Sequence, residues 1–245
     1  MDGVIGVAGC GRMGFGMLAN LRKAGLDARG LDVRPIDGVG TDPAAFADGL
    51  TTLLTVVRDT VQTDAVLFDD QALVRCAPAL RRIVICSTLS PRYVKDLRAR
   101  VPEHITLIDA PMSGAQVKAD AGTLTFMTGG PAEDVMPALR AMGSEIHHMG
   151  AFGSGMTAKV LNNLLAASHT AMTRLVLDWA DAEGLDEADL LALINAASGQ
   201  NWLASGFDTI EFARDGYGAD NSIGILEKDV AAALDIAPND ATALP

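Results

Sequence analysis

Short stretches that read as strands recur through the first 150 residues, at 4–8, 27–31, 52–57, 82–86, 105–108, 124–128 and 145–149. Each has strand length and is bounded by glycine, proline or polar residues. Segments with helical spacing separate them: after Gly14 (Phe15, Leu18, Leu21), over 60–68, after Pro91 and after Pro131. Pro91 suits a first helical turn with Ser90 as its cap, and 35–48 reads as loop with one short helical piece. Alternating strands and helices predict a parallel, doubly wound sheet. Strand signals stop at Gly153. A long helix is predicted over 153–183, with Val160, Leu161, Leu164, Leu165, Met172, Leu175, Val176 and Trp179 at helical spacing and Gly184 as its stop. Asp186 caps a helix over 187–197 that Gly199 closes, 200–218 is mixed, and 223–236 is helical. The expected fold class is α/β: a doubly wound parallel sheet domain over 1–152, then a smaller all-α domain over 153–245. A ligand at the sheet's carboxyl edge would meet the long helix in a cleft between them.

Chemistry enters at the first turn. Gly9-Cys10-Gly11-Arg12-Met13-Gly14 stands between the first strand and the first helix, the G-x-G-x-x-G spacing that allows a tight turn, backbone approach to a pyrophosphate and helix–strand packing. The helix N-terminus adds N–H groups and a positive dipole end for phosphates. Asp32 ends the second strand, eighteen residues after Gly14. An acid there accepts the ribose hydroxyls of NAD and repels the 2′-phosphate of NADP. NAD is therefore expected over NADP, with Arg34 the residue that would take a 2′-phosphate instead.

Composition narrows the function classes. The chain is 49% hydrophobic and 4% aromatic with 25 glycines, which suits an α/β protein. A net charge of −12 argues against nucleic acid or an anionic membrane as partner. An anionic metabolite stays compatible, because local backbone amides override the global field. Met1-Asp2-Gly3 leads straight into the first strand, so no signal peptide is expected, and no apolar run is long enough to span a bilayer. Cys10, Cys76 and Cys86 are odd in number and unclustered, which fits a reducing cytoplasm rather than a disulfide framework. His104, His147, His148 and His169 lack ligand spacing, and no metal is expected.

Lys159 and Asn163 lie four residues apart and share one face of the long helix. An amine beside an amide on an apolar helix suits proton transfer; the plainer reading is a surface lysine and an asparagine that packs.

Four stretches together resemble the β-hydroxyacid dehydrogenase family, which includes 3-hydroxyisobutyrate, tartronate semialdehyde and L-threonate type enzymes and carries a dinucleotide-binding domain of the 6-phosphogluconate dehydrogenase type. They are Gly9 to Gly14 with Asn20-Leu21; Asp109-Ala110-Pro111-Met112-Ser113-Gly114-Ala115 with Gly122-Thr123-Leu124; Gly153-Ser154-Gly155 through Lys159, Asn162 and Asn163; and Lys228-Asp229. The resemblance covers nearly the whole chain. It implies a Rossmann sheet domain, NAD as cofactor with NADP possible, and hydride transfer to or from a small 3-hydroxy acid or its semialdehyde or keto form. It implies Lys159 as general acid/base, Asn163 as the amide that orients substrate, and Ser113, Gly114 and Ala115 around the substrate carboxylate. It also places Val57, Arg58, Thr88 and Thr123 at the cofactor beside Gly9, Gly11, Arg12, Met13, Gly14, Asp32 and Arg34, with Lys228 reaching it from the helical domain. Oxidising a carbinol needs a base for the hydroxyl proton, and the reverse needs an acid. A lysine desolvated beside an oxidised nicotinamide is expected to have a lowered pKa.

The chain departs from the family in places. Ala115 stands where a second glycine is usual, which is expected to tighten the carboxylate pocket. The 35–53 segment is short, as though a strand–helix unit near the adenosine were missing. The chain ends soon after Lys228-Asp229, where relatives continue through helices that cover the cleft and build the subunit interface; either this protein manages with less or a partner subunit supplies the cover. A homo-oligomer, dimer or larger, is expected because the helical part is too small to bury the long helix alone, which would leave the apolar face through Leu164, Leu175 and Trp179 partly exposed. Trp202 is either a cleft-lining or a core residue. Two other functions compete: a non-catalytic NAD-binding sensor or interaction module, favoured by the short C-terminus, and imine reduction on the same scaffold, against which Lys159 weighs.

Overall fold

The computed structural model describes residues 3–210, 213 and 224–239. Two compact units are present, Met1–Lys159 and Val160–Pro245. In the first, the chain runs β1 (Val4–Ala8), α1 (Arg12–Lys23), β2 (Ala28–Leu31), α2 (Pro43–Ala47), β3 (Leu50–Thr55), α3 (Thr60–Leu67), α4 (Leu73–Cys76), β4 (Arg82–Ile85), α5 (Pro91–Arg100), β5 (Thr106–Asp109), β6 (Met112–Ser113), α6 (Ala115–Ala121), β7 (Leu124–Gly129), α7 (Met136–Met142) and β8 (Gly143–Gly150). Neighbouring residues on a strand go to opposite faces. Leu53, Ile83, Ile85 and Leu107 meet Leu67, Val94 and Leu97 on one side of the sheet. Leu54, Val84 and Ile108 meet Met17, Leu18 and Leu21 of α1 on the other. Burial on both faces is what makes these strands continuous apolar runs.

Strand order is β2-β1-β3-β4-β5-β7-β6, with β8 also paired to β7. The sheet is mixed, where the pattern predicted parallel throughout. β2, β1, β3, β4 and β5 are parallel, but β7 runs antiparallel to β5 and β6, and β8 is parallel to β7. The cause is connection length: residues 114–123 are too few for a crossover, which needs a dozen or more, so the chain folds back beside the strand it left. Asp109 opposite Gly129, Met112 opposite Phe126 and Ser113 opposite Thr125 form one continuing register through Pro111. The elements that pattern reading missed (α4, β6, α6) are too short for a period to register.

The second unit carries most of α8 (Ser154–Ala182), then α9 (Glu187–Ala196), α10 (Trp202–Ser205) and α11 (Gly224–Leu234). Gly184, at φ +73, ends α8 as expected. The Asp186 side chain accepts from the N–H groups of Ala188 and Asp189 and starts α9, which stops at Ala196 without reaching Gly199. The predicted start of the last helix at Ile223, and much of 211–223, lie outside the described residues. The first unit takes in the first turn of α8, whose Met156 is fully buried in the sheet's core.

Much of the apolar face of α8 is left exposed. Val160, Asn163, Thr170, Thr173, Leu177 and Ala180 are buried, whereas Leu161, Leu165, Met172 and Trp179 are exposed, Trp179 by 65%. On the buried side Ala232 and Ala233 pack against Val160, Asp229 bonds Asn163, Asn201 bonds Thr173, and Leu177 joins Leu191, Leu203 and Phe207. Trp202 belongs with α8 too, its Nε1 donating to the Ala166 carbonyl at 2.9 Å.

Candidate active site

β1 delivers the chain into Gly9 at φ +93. A Cβ on Gly9 would come 2.6 Å from the Val56 carbonyl oxygen, and one on Gly14 would come 2.0 Å from the Gly9 carbonyl oxygen. Those two glycines are required by the turn and by α1 packing on it. Gly11 differs: a Cβ there would meet only Arg34 Nη2, at 3.4 Å. Packing does not demand that glycine, but backbone approach by a phosphate would. α1 begins at Arg12 with no side-chain cap and no acid in its first turn, so its N–H groups and dipole end suit a pyrophosphate. Arg12 is exposed there and Met13 half-buried.

Asp32 ends 8% exposed just past β2. Its Oδ2 accepts from the Cys10 N–H at 3.0 Å, and its Oδ1 accepts from the Arg34 N–H at 3.0 Å and from Arg34 Nε at 3.1 Å. Burial pushes this carboxyl upward, but the Arg34 bonds and charge, together with the Cys10 N–H, hold it below the usual carboxylate range. Asp32 and Arg34, read from sequence as rivals for the ribose, are thus partners. The same Asp32 charge adds to burial in pushing the Cys10 thiol up to about 12. Val57 flanks Gly9. Arg58 is exposed past β3, its N–H donating to Gln62 Oε1 at 3.0 Å, and Thr88 is half-buried past β4. Thr123 precedes β7 by one residue, two before the Thr125 that pairs with Ser113, so it lies at the carboxyl end of β6.

Ser113 ends β6, followed by Gly114 at φ +137 and Ala115 at φ +52, the latter a left-handed backbone held by a side chain that disfavours it. Lys159, 7% exposed, comes from α8 and donates from Nζ to Ser113 Oγ at 2.9 Å across a sequence separation of 46. The surface-lysine reading therefore fails. Asp109 opens the Asp109–Ala115 stretch, and no role for it was legible from the sequence. It is fully buried at the end of β5, its Oδ1 accepting from the Gly153 N–H and its Oδ2 from the Met156 N–H, both at 2.6 Å.

Within the second unit Asn163 is 8% exposed and donates from Nδ2 to Asp229 Oδ2 at 2.6 Å. Asp229 Oδ1 accepts from Lys228 Nζ at 2.7 Å, and Asn162 Nδ2 donates to Asn163 Oδ1 at 3.3 Å. Asp229 thus joins two residues singled out from sequence and was itself left off. Its neighbours Glu227 and Lys228 are charged as well, so nothing local set Asp229 apart in the sequence.

A family model described as the NAD binding domain of 6-phosphogluconate dehydrogenase matches residues 4–150. One described as the NAD-binding domain of NADP-dependent 3-hydroxyisobutyrate dehydrogenase matches 153–245. The chain belongs to the β-hydroxyacid dehydrogenase family. Among its family relatives, the L-threonate dehydrogenase of Cupriavidus necator is 30% identical over 98% of this chain and 86% of that protein. The 3-hydroxyisobutyrate dehydrogenase of Pseudomonas aeruginosa is 31% identical over 94% of this chain and 84% of that protein. The structure of Mycobacterium tuberculosis 3-hydroxyisobutyrate dehydrogenase with L-serine matches with a TM-score of 0.81 at 28% identity, covering 96% of this chain and 86% of that one. An imine reductase from Myxococcus stipitatus, at 17% identity, shares the fold alone.

Proposed function

We propose that this protein transfers a hydride between a nicotinamide dinucleotide and a small 3-hydroxy acid, or its semialdehyde or keto form, with Lys159 moving the proton. It is a nicotinamide-dependent oxidoreductase of its family, and the buried Lys159–Ser113 pair at 2.9 Å carries the reading. When bound, the nicotinamide takes up or returns the hydride. Lys159 Nζ accepts the carbinol proton in oxidation and gives it back in reduction. The Ser113 hydroxyl holds that amine in place and, with the N–H groups of Gly114 and Ala115, receives the substrate carboxylate. Asn163 orients the substrate. The amides around Gly11 and the start of α1 receive the pyrophosphate, with Arg12 and Met13 beside it. Asp32 takes the ribose hydroxyls, which favours NAD; Val57, Arg58, Thr88 and Thr123 line the cofactor, and Lys228 reaches it. On this reading residues 1–152 serve the cofactor and 153–245 serve substrate and subunit contacts.

We extend the reading to a homo-oligomer, because α8 exposes Leu161, Leu165, Met172 and Trp179. A single monomeric mass by light scattering across a wide concentration range would count against it. Three free cysteines, Cys10, Cys76 and Cys86, suit a reducing cytoplasm. Among the described residues no helix is long and apolar enough to cross a membrane.

The test is Lys159→Ala, assayed with 3-hydroxyisobutyrate, L-threonate and L-serine and both cofactors. NADH binding is expected to survive while turnover falls on the order of 10² to 10⁴. Lys159→Arg is expected not to rescue it, since a guanidinium stays protonated. Full activity in Lys159→Ala would overturn the assignment. NADH binding without turnover across the panel would favour a sensing module.

A further inference from the structure

The first turn of α8 has an unusual cap. The first intrahelical bond runs from the Thr157 N–H to the Gly153 carbonyl, so Gly153 is the N-cap residue, and glycine has no side chain with which to cap. In a local capping box the N-cap side chain accepts the N–H three residues on, and the residue there reaches back to the N-cap N–H. Here one carboxylate from β5 does both. Asp109 accepts from the Gly153 N–H on one oxygen and from the Met156 N–H on the other, each at 2.6 Å.

The surroundings are shaped to let it in. A Cβ on Gly129, the residue opposite Asp109 in the sheet, would stand 2.3 Å from Oδ1, and one on Gly155 would stand 2.9 Å from Oδ2. When ionised, this carboxyl at the start of a long helix also complements its dipole. From this clamp two short paths lead to the proposed proton-transfer pair. Four residues beyond Asp109 the same extended run reaches Ser113. One helical turn beyond Met156 α8 presents Lys159, and the two tips meet at 2.9 Å. Asp109, Ser113, Lys159 and Met156 thus form a closed loop of backbone and hydrogen bonds, all within the first unit.

We propose that Asp109 is the positioning residue that holds Lys159 against Ser113. It touches neither substrate nor cofactor and acts through the register of the first turn of α8. The proposal rests on the proposed role of Lys159 only in what it predicts for turnover.

Asp109→Asn keeps the shape but turns one acceptor into an NH₂ group facing an N–H donor, so one of the two bonds is lost. The first readout needs no substrate: labelling of individual lysines by an amine-acylating reagent, followed by mass spectrometry. In Asp109→Asn, Lys159 is expected to label several-fold faster than in the unaltered protein, while Lys23, exposed at the end of α1, keeps its rate. The second readout is turnover of NAD with L-serine or 3-hydroxyisobutyrate, counted per NADH-binding site. A fall of roughly 10- to 100-fold is expected with KM for NAD unchanged, since a displacement of about 1 Å suffices for that. In a Lys159→Ala background Asp109→Asn is expected to add nothing, because two residues acting through one step are not additive. If Asp109→Asn yields no NADH-binding protein, the same measurements are read on Asp109→Glu, which keeps the charge and lengthens the arm.

Unchanged Lys159 labelling, or acceleration shared by all lysines, would overturn the proposal. So would a fall in turnover that multiplies with that of Lys159→Ala. Faster labelling of Lys159 together with a fully active Lys159→Ala would leave Asp109 as positioned here and remove the catalytic reading of Lys159 instead.

Discussion

Ala115 shows what one side chain can cost. At φ +52 it occupies a backbone region that alanine disfavours by about 1–2 kcal/mol, at the position where the family resemblance led one to expect glycine. Ala115→Gly is expected to stabilise the protein by about 0.5–1 kcal/mol after the extra entropy of an unfolded glycine is offset, read as a rise in the urea midpoint; a lower midpoint would show that the methyl packs usefully. Arg34 is the second residue whose role changed. Its bonds to Asp32 offset the charge that should repel a 2′-phosphate. Arg34→Ala is therefore expected to weaken NADPH more than NADH in fluorescence titrations, and Asp32→Asn to narrow the gap. Tighter binding of NADPH than NADH by the unaltered protein would mean that Arg34 outweighs Asp32. The identities of both residues were plain in the sequence. Their pairing was not, because an arginine two positions past an acid can equally turn to solvent or to a ligand.

Elements were legible where their period is long enough to repeat. The strands from β1 to β5, the glycine turn and both ends of α8 fall within a few residues of the pattern reading, since caps such as Ser90 and Asp186 and stops such as Gly184 act locally. Which side of α8 finds partners was illegible, because periodicity says only which residues are apolar. Asp229 is the clearest case of a partner no local rule predicts. It ties α11 to α8 through Asn163 and holds Lys228 with its other oxygen. Asp229→Ala is expected to destabilise by about 1–3 kcal/mol, the cost of leaving buried polar partners unpaired, and to raise KM for both hydroxy acid and cofactor. A variant that loses stability but keeps both KM values would make the link purely structural.

At the scale of the whole molecule, two buried acids pull its pH dependence in opposite directions. Asp32 sits below the usual carboxylate range, so its contribution is present above that range and lost as pH falls through its depressed value. Burial raises Asp109, and the N–H groups of Gly153 and Met156 only partly offset it. Its contribution is full below the ordinary carboxylate pKa of about 4 and is lost as pH rises through its raised value. Asp109→Asn is expected to flatten the decline of the urea midpoint with rising pH above about 4, whatever it does to the midpoint itself; an unchanged slope would mean that Asp109 is not the group responsible. The cap it provides also bears on the order in which the molecule is made. A helix with its own N-cap can nucleate alone, whereas α8 borrows its cap from a strand 44 residues upstream. An excised peptide spanning α8 should fray at its first turn. On the ribosome, where chains emerge N-terminus first, Asp109 leaves before Gly153, so synthesis delivers the acceptor ahead of the helix start that borrows it.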